Sequence, residues 1–245
     1  ASYRAAVIRL DGLIDENARA RTFSQVTTAS SGDGGLAVRD VEVRTPDGAN
    51  LVRALDLELD RGDTLLVSGP SGIGKTVLMQ SLAGLWPFVS GSVRLPSGRQ
   101  AAMFVPQLPY IPLGDLRAVA SYPNDAGAVD DREIQQALIK VALPHLAIRL
   151  NDVGHWGKVL SVGEQQRIAF ARILLTKPRA VFLDESTSAL DEGLELTLYE
   201  LIRAELPEMI LVSVSHRSTV EQFHARQLEL VGGGEWRLEP MTTRR

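Results

Sequence analysis

Five stretches of this 245-residue chain carry residue types suited to a nucleoside triphosphate. In Gly69-Pro70-Ser71-Gly72-Ile73-Gly74-Lys75-Thr76 the glycines let backbone N–H groups curl around phosphates, Lys75 reaches the β and γ phosphates, and Thr76 can ligate Mg²⁺. Asp184 and Glu185 follow the apolar run Ala180-Val181-Phe182-Leu183, and such a pair suits an acid that holds Mg²⁺ followed by a general base that polarises water. Between these two stretches lies Leu160-Ser161-Val162-Gly163-Glu164-Gln165-Gln166-Arg167. Gln107 closes the run Met103-Phe104-Val105-Pro106, and His216 closes Ile210-Leu211-Val212-Ser213-Val214-Ser215. An amide can contact a metal and its water, and an imidazole beside an anion can take or hold a proton.

The elements around these residues stand in a workable order. Leu65-Leu66-Val67 is a short buried-strand run that feeds the glycine loop, and Val77 to Leu85 follows as a helix whose N-terminus adds positive potential at the phosphates. The apolar runs before Gln107, Asp184 and His216 predict three further strands. A helix is expected over Glu164 to Thr176, stopped by Lys177-Pro178, and others over Asp131 to Val141 and Thr219 to Ala225. Leu36 to Val43 and Leu51 to Leu59 alternate around the turn Thr45-Pro46-Asp47-Gly48 and predict a hairpin; Gln227 to Val231 and Trp236 to Leu238 predict another over Gly232-Gly233-Gly234. Ile8, Leu10, Leu13 and Ile14 put a partial apolar stripe on a helix from Tyr3 to about Arg21, either a surface helix or the tail of one descending from a membrane domain. Ala29 to Gly35 is small-residue rich and is expected to be a linker, so that a domain begins near Leu36.

Composition narrows the partners. With 44% hydrophobic residues the chain can build a real core. No apolar run approaches the ~18 to 20 residues of a membrane helix, and no secretory signal opens the chain. Zero cysteines exclude disulfides and thiolate metal sites, and His145, His155, His216 and His224 lack metal-ligand spacing. A net charge of -4 without a Lys/Arg block makes nucleic acid an unexpected partner.

The stretch from Leu160 to Arg167, downstream of the glycine loop, resembles the LSGGQ-type signature of the ATP-binding cassette (ABC) family. That resemblance implies an α/β fold: a P-loop NTPase with a parallel core sheet, an antiparallel β-subdomain and a helical subdomain carrying the signature. It implies two copies meeting head to tail as an ATP-sandwich homodimer, with ATP and Mg²⁺ between Gly69 to Thr76 of one and Ser161 and Gly163 of the other. In that family pattern Asp184 and Glu185 are the Walker B pair, Gln107 is the Q-loop glutamine that contacts Mg²⁺ and water, His216 is the H-loop histidine, and Ser186 to Asp191 resemble the D-loop at the dimer interface. Catalysis then falls to Glu185, His216 and Gln107, and Mg²⁺ to Thr76, Gln107 and Asp184. This chain departs at Val162, where glycine is usual, at Ser186, where alanine is usual, and at Arg44-Thr45-Pro46, where an adenine-stacking aromatic is usual.

Gly84-Leu85-Trp86-Pro87, Phe104 to Arg117 and Tyr122-Pro123 further resemble the branch that holds peroxisomal fatty-acyl transporters and the SbmA/BacA-related bacterial proteins. On that resemblance residues 1–35 are the tail of an N-terminally fused transmembrane domain plus a linker, and residues 36–245 the nucleotide-binding domain, its helical subdomain at about 108–165. The implied place is the cytoplasmic face of the plasma membrane. The implied cargo is hydrophilic, cobalamin or antimicrobial peptides as in mycobacterial members. Tyr110, Ile111 and Leu113 are contacts for the membrane domain or simply core. The rival readings are a stand-alone ATPase subunit of an importer, a chromosome-type ATPase and a switch that binds ATP without hydrolysing it. The absence of a long coiled coil weighs against the second, and Glu185 with His216 against the third.

Overall fold

A computed structural model describes residues 27–31, 34–98, 101–125 and 127–241. The expected helix at Tyr3 to Arg21 lies outside them. The chain opens with β1 (Thr27–Ser31), β2 (Leu36–Arg44), β3 (Asn50–Leu59) and β4 (Thr64–Ser68), followed by α1 (Lys75–Leu82), β5 (Val89–Pro96) and β6 (Ala102–Val105). A helical stretch follows: the short β7 (Gly114–Asp115), α2 (Leu116–Ser121), α3 (Asp131–Lys140), α4 (Pro144–Ala147), β8 (Val153–Gly154), α5 (Trp156–Val159) and α6 (Val162–Thr176). The remainder alternates as β9 (Ala180–Asp184), α7 (Glu192–Glu205), β10 (Ile210–Val214), α8 (Ser218–Glu221), β11 (Arg226–Gly232) and β12 (Glu235–Pro240).

Six strands form the core sheet in the order β12-β11-β4-β10-β9-β6, parallel except for β12. Every residue of β9 and β10 is buried, which is why both read as unbroken apolar runs rather than alternating ones. Alternate residues serve opposite faces. Ala180, Phe182, Ile210, Val212, Leu65 and Val67 pack with α1 and the β-subdomain; Val181, Leu183, Leu211 and Leu66 pack with the helical side. The β-subdomain is a four-stranded sheet in the order β1-β5-β2-β3, with the predicted hairpin of β2 and β3 along one side and β3 at the edge. The α/β architecture of parallel core sheet, antiparallel β-subdomain and helical insert is thus the one observed.

Three expectations need correction. Thr27–Ser31, expected partly as linker, pairs in parallel with β5 from Thr27↔Ser92 to Ser31↔Pro96; pairing at a sheet edge uses the backbone and leaves no apolar alternation to detect. The helix after the glycine loop ends at Leu82, not Leu85. Gly84, at φ 74, closes it with bonds from Gly84 N to Ser81 O and from Leu85 N to Gln80 O, a glycine-terminated helix end. The helix expected over Thr219 to Ala225 is only Ser218–Glu221, because the chain tightens into three-residue bonds from Phe223 N to Val220 O and from His224 N to Glu221 O.

His224 makes an acid-sensitive joint. Its ring is buried, with Nδ1 2.9 Å from Val220 O and Nε2 2.9 Å from Ser213 Oγ, and burial, helped by the charge of Arg203, lowers its pKa to about 4. The neutral ring donates from Nδ1 to the carbonyl and accepts at Nε2. Because the folded pKa lies below the unfolded value near 6.5, the stabilisation is present above pH 6.5 and is lost as pH falls toward 4. The unfolding free energy is expected to be about 2 kcal/mol lower at pH 5 than at pH 7 from this group. Urea unfolding of the native chain and of His224→Gln at both pH values checks it; an equal pH slope in the two would refute the assignment.

Candidate functional site

The carboxyl ends of the parallel strands are level. Val214 lies opposite both Val67 and Asp184, and Val105 opposite Leu183. The glycine loop after β4, Gln107 after β6, Asp184 and Glu185 at the end of β9, and His216 after β10 therefore leave one rim of the sheet, the place where open α/β sheets bind ligands.

Local chemistry shapes the loop. Gly69 has φ 135, and a methyl group there would stand 2.6 Å from the carbonyl oxygen of Leu230, so the loop seats directly on β11. Gly74 has φ 110, and a methyl group would meet Leu51 at 3.2 Å. A side chain at Gly69 would clash with backbone, and at Gly74 it would be strained by the positive φ and crowded by Leu51. Pro70, Ser71 and Gly72 are exposed along the crest, and Ile73 packs its side chain into the β-subdomain core. Lys75 is buried, and its ammonium donates to Gly69 O at 2.9 Å and Pro70 O at 3.0 Å. The charge is held inside the loop without a carboxylate and is available to phosphate oxygens.

Thr76 Oγ1 donates to Asp184 Oδ1 at 3.1 Å, joining residues 108 positions apart. Burial raises the pKa of Asp184, against the lowering effect of the Thr76 bond, while the neighbouring charges of Glu185 and Lys75 oppose each other. A desolvated carboxylate beside a hydroxyl is a site that gains by receiving a cation. Gln107 donates its amide nitrogen to Ser188 Oγ at 3.2 Å, leaving its amide oxygen for a hard cation. Hydroxyl, carboxylate and amide oxygens fit Mg²⁺, and no cluster of three or more acidic or histidine ligands occurs among the described residues. Mg²⁺ commonly combines one or two protein oxygens with phosphate oxygens and water.

Glu185 sits at φ 49, a left-handed conformation that costs a side-chain-bearing residue about 1 kcal/mol or more. Bonds from Glu185 N to Val214 O and from Ser188 N to Glu185 O hold it there. The turn aims its carboxylate at His216, with Oε1 3.3 Å from Nε2. Both groups stay partly solvent accessible, and they line a small cavity of about 80 Å³ with Thr187, Ser188, Glu195, Ser215 and Arg217. A larger cleft of about 490 Å³ at the far end of the core sheet, beside Arg61, Lys177, Arg179, Glu205 and Glu208, contains none of these groups.

The signature region takes a different position. The helix α6 starts at Val162, two residues before its expected start, because Ser161 caps it: Ser161 Oγ accepts from Glu164 N while Glu164 Oε2 accepts from Ser161 N, a reciprocal capping box. Burial of Glu164 works against its charge, but the Ser161 bonds and His145, 3.1 Å away, outweigh it and lower its pKa. Val162 is 46% exposed and points away from the core. A methyl group on Gly163 would stand 3.3 Å from Leu190 and 3.4 Å from Ala189 O, so Gly163 lets the helix end pack against the loop of residues 187–190. Asp191 accepts from Leu194 N at 2.9 Å and caps α7. Hydrogen bonds described for Ser161, Gly163 and Asp191 include none to the glycine loop of the same chain.

Sequence reasoning passed over Gln166, which is fully buried on α6. Its Nε2 donates to Gln107 O at 2.9 Å and to Ser188 Oγ at 3.2 Å, and its Oε1 accepts from Ala189 N at 3.0 Å. One side chain thus fixes the loop of Gln107 and the loop after Glu185 to the signature helix. Polar burial on an otherwise apolar helix face was the available signal. Tyr110 and Leu113 are 63% and 74% exposed, whereas Ile111 packs on the helical core. At Arg44, Trp86 Nε1 donates to the carbonyl at 2.9 Å and its ring lies 5.7 Å from Phe88, so the aromatic near that turn braces the backbone.

Known proteins resemble this chain in sequence. The family described as ABC transporter matches residues 52–188. An uncharacterized ABC transporter ATP-binding protein of Haemophilus influenzae is 42% identical over 200 residues, covering 82% of this chain and 33% of that protein. The human lysosomal cobalamin transporter ABCD4 is 36% identical over 223 residues, covering 86% and 36% respectively. The inner membrane ABC transporter ATP-binding protein YddA of Escherichia coli is 37% identical over 185 residues, covering 76% and 32%. The chain spans about a third of the length of the curated relatives it matches.

Proposed function

Because this chain belongs to the ABC transporter family, as its ATP-binding domain, we propose that two copies close head to tail around two ATP molecules and hydrolyse them to drive an attached membrane domain. The observation that carries this reading is the division of the site. Lys75, Thr76, Gln107, Asp184, Glu185 and His216 share one rim, while the hydrogen bonds described for Ser161 and Gly163, at the capped start of α6, reach none of them. A helix N-terminus with exposed N–H groups is an anion site, and here the anion would be the γ phosphate held by the partner copy.

In the closed pair the glycine-loop amides and Lys75 would bind and orient the phosphates, and Ser161 would donate to the γ phosphate from across the interface. Thr76, Asp184 and Gln107 would hold Mg²⁺, which when bound neutralises charge on the phosphate oxygens. Glu185 would take the proton of the attacking water while His216, 3.3 Å from it, orients that carboxylate and contacts the γ phosphate. Asp191 keeps the loop 187–190 in place by capping α7 and would face the partner.

We further propose that the membrane domain is fused N-terminally, that it has an exporter-type fold, and that this domain works at the cytoplasmic face of the plasma membrane. No helix among the described residues is long and apolar enough to cross a membrane. Exposed Tyr110 and Leu113 would receive the membrane domain. Cargo of the hydrophilic class, cobalamin or antimicrobial peptides, is supported by the human relative named for cobalamin transport and by the resemblance of Phe104 to Arg117 to the SbmA/BacA-related branch.

Hydrolysis of Mg²⁺-ATP measured against protein concentration tests the shared site. The specific rate is expected to climb with concentration in the range where the chain is mostly monomeric, because only pairs complete a site. Light scattering without nucleotide is expected to report a monomer. A concentration-independent specific rate would refute the shared site, and ATP binding without turnover would favour a nucleotide switch.

A further inference from the structure

The loop 187–190 and the loop carrying His216 are tied by two charged side chains that no role assigned so far requires. Glu195, on the first turn of α7, is 1% exposed. Its Oε1 accepts from Thr187 Oγ1, and its Oε2 accepts from Thr219 Oγ1 at 2.8 Å and lies 3.5 Å from Arg217 Nη1. Arg217, next to His216, donates from Nη1 to Leu190 O at 2.7 Å and from Nη2 to Ser188 O at 3.2 Å. One carboxylate thus holds Thr187 of the first loop and Thr219 of α8, the helix that follows the His216 loop, and one guanidinium spans from the His216 loop to two carbonyls of the other.

Burying a carboxylate is a poor way to gain stability, since apolar packing of the same volume is commonly at least as stable. What the pair adds is a fixed relation between two loops. Ser188 and Ala189 are exposed on the side that packs Gly163 of the signature helix, where a second copy would approach, and both are held by Gln166. A shift of that loop displaces the carbonyl acceptors of Arg217, and so moves the residue adjoining His216.

We propose that Glu195 and Arg217 are positioning residues forming a strap that sets His216 against Glu185 according to the position of loop 187–190, so that arrival of the partner copy aligns the hydrolytic pair. The proposal rests on the shared-site reading above. Neither residue touches nucleotide in it; both act through His216.

The test uses the native chain, Arg217→Ala, Arg217→Lys, Glu195→Gln and Arg217→Ala/Glu195→Gln, with four readouts: ATP affinity by titration, kcat, the Hill coefficient for ATP, and the unfolding midpoint. Arg217→Ala and Glu195→Gln are expected to lower kcat about tenfold or more with ATP affinity within about twofold, and to bring the Hill coefficient toward 1. Arg217→Lys should recover part of kcat, and the double variant should be no slower than the slower single one, as for residues acting as a unit. An Arg217→Ala chain with native kcat and Hill coefficient would overturn the strap, as would parallel losses of ATP affinity and unfolding midpoint, the mark of a merely structural pair. Absence of turnover in the native chain would instead sink the hydrolysis reading itself, and the strap with it.

Discussion

Glu185→Gln is expected to slow ATP hydrolysis by about 10²- to 10⁴-fold, the range for loss of a positioned general base, while leaving ATP affinity within a few-fold. The substitution removes the basic oxygen and little else. Gln can take the same left-handed backbone at φ 49, which is held by Val214 O and Ser188 N rather than by the side chain. Phosphate binding should survive, because in the proposed site it depends on the loop amides and on Lys75, whose ammonium is organised by Gly69 O and Pro70 O. The variant should therefore accumulate the ATP-bound pair, visible by light scattering as a dimer on adding Mg²⁺-ATP. Single-turnover kinetics and nucleotide titration measure the two effects separately. A kcat within tenfold of the native value would assign the base elsewhere, and joint loss of binding and turnover would mean that Glu185 shapes the loop.

How far the sequence carried depended on whether a feature is local. The glycine loop, the Asp184-Glu185 pair and the apolar runs of β9 and β10 are contiguous, and buried parallel strands announce themselves as unbroken apolar stretches. That Gln107, Asp184, Glu185 and His216 share a rim was implied by each following an apolar run, and the register of Val67, Val214 and Asp184 supplies the geometry. Edge pairing of Thr27–Ser31 was not legible, because it is a backbone event with a strand some 65 residues on. Two helix ends differ from the pattern of apolar residues because caps set them: the capping box of Ser161 and Glu164 starts α6 at Val162, and Gly84 stops α1 at Leu82.

The positioning network shows the same boundary more sharply. Gln166 lies 59 positions from Gln107, and its three bonds exist only once α6 packs beside two loops. Glu195 in the first turn of a helix is ordinarily a solvated residue complementing the helix dipole; here it is buried because Thr187, Thr219 and Arg217 converge on it. Residue type and spacing identify groups that can touch a phosphate. They do not identify those that hold such groups, since holding depends on which distant loops share a neighbour.

Two inactive variants mixed together are expected to restore activity that neither has alone, and this follows from the proposed division of the site between copies. Lys75→Ala removes the charge proposed to bind phosphate but keeps the signature helix. Val162→Asp does the reverse. Position 162 is the first residue of α6 and 46% exposed, so an acidic side chain there suits the helix dipole and should leave the fold intact. The same carboxylate would face the γ phosphate of the partner copy, where like-charge repulsion opposes closure. In each pure homodimer both composite sites carry one damaged half. In a mixed pair one site combines the intact loop of the Val162→Asp chain with the intact signature of the Lys75→Ala chain, while the other carries both lesions. With random pairing about half the dimers are mixed and one of their two sites works, so activity should recover toward about a quarter of the native value if single sites fire independently. Strict coupling of the two sites would hold recovered hydrolysis well below that ceiling while still allowing the mixed pair to form. Native-like activity in Val162→Asp alone would show that the signature helix does not meet the partner's phosphate, and the head-to-tail arrangement would fall.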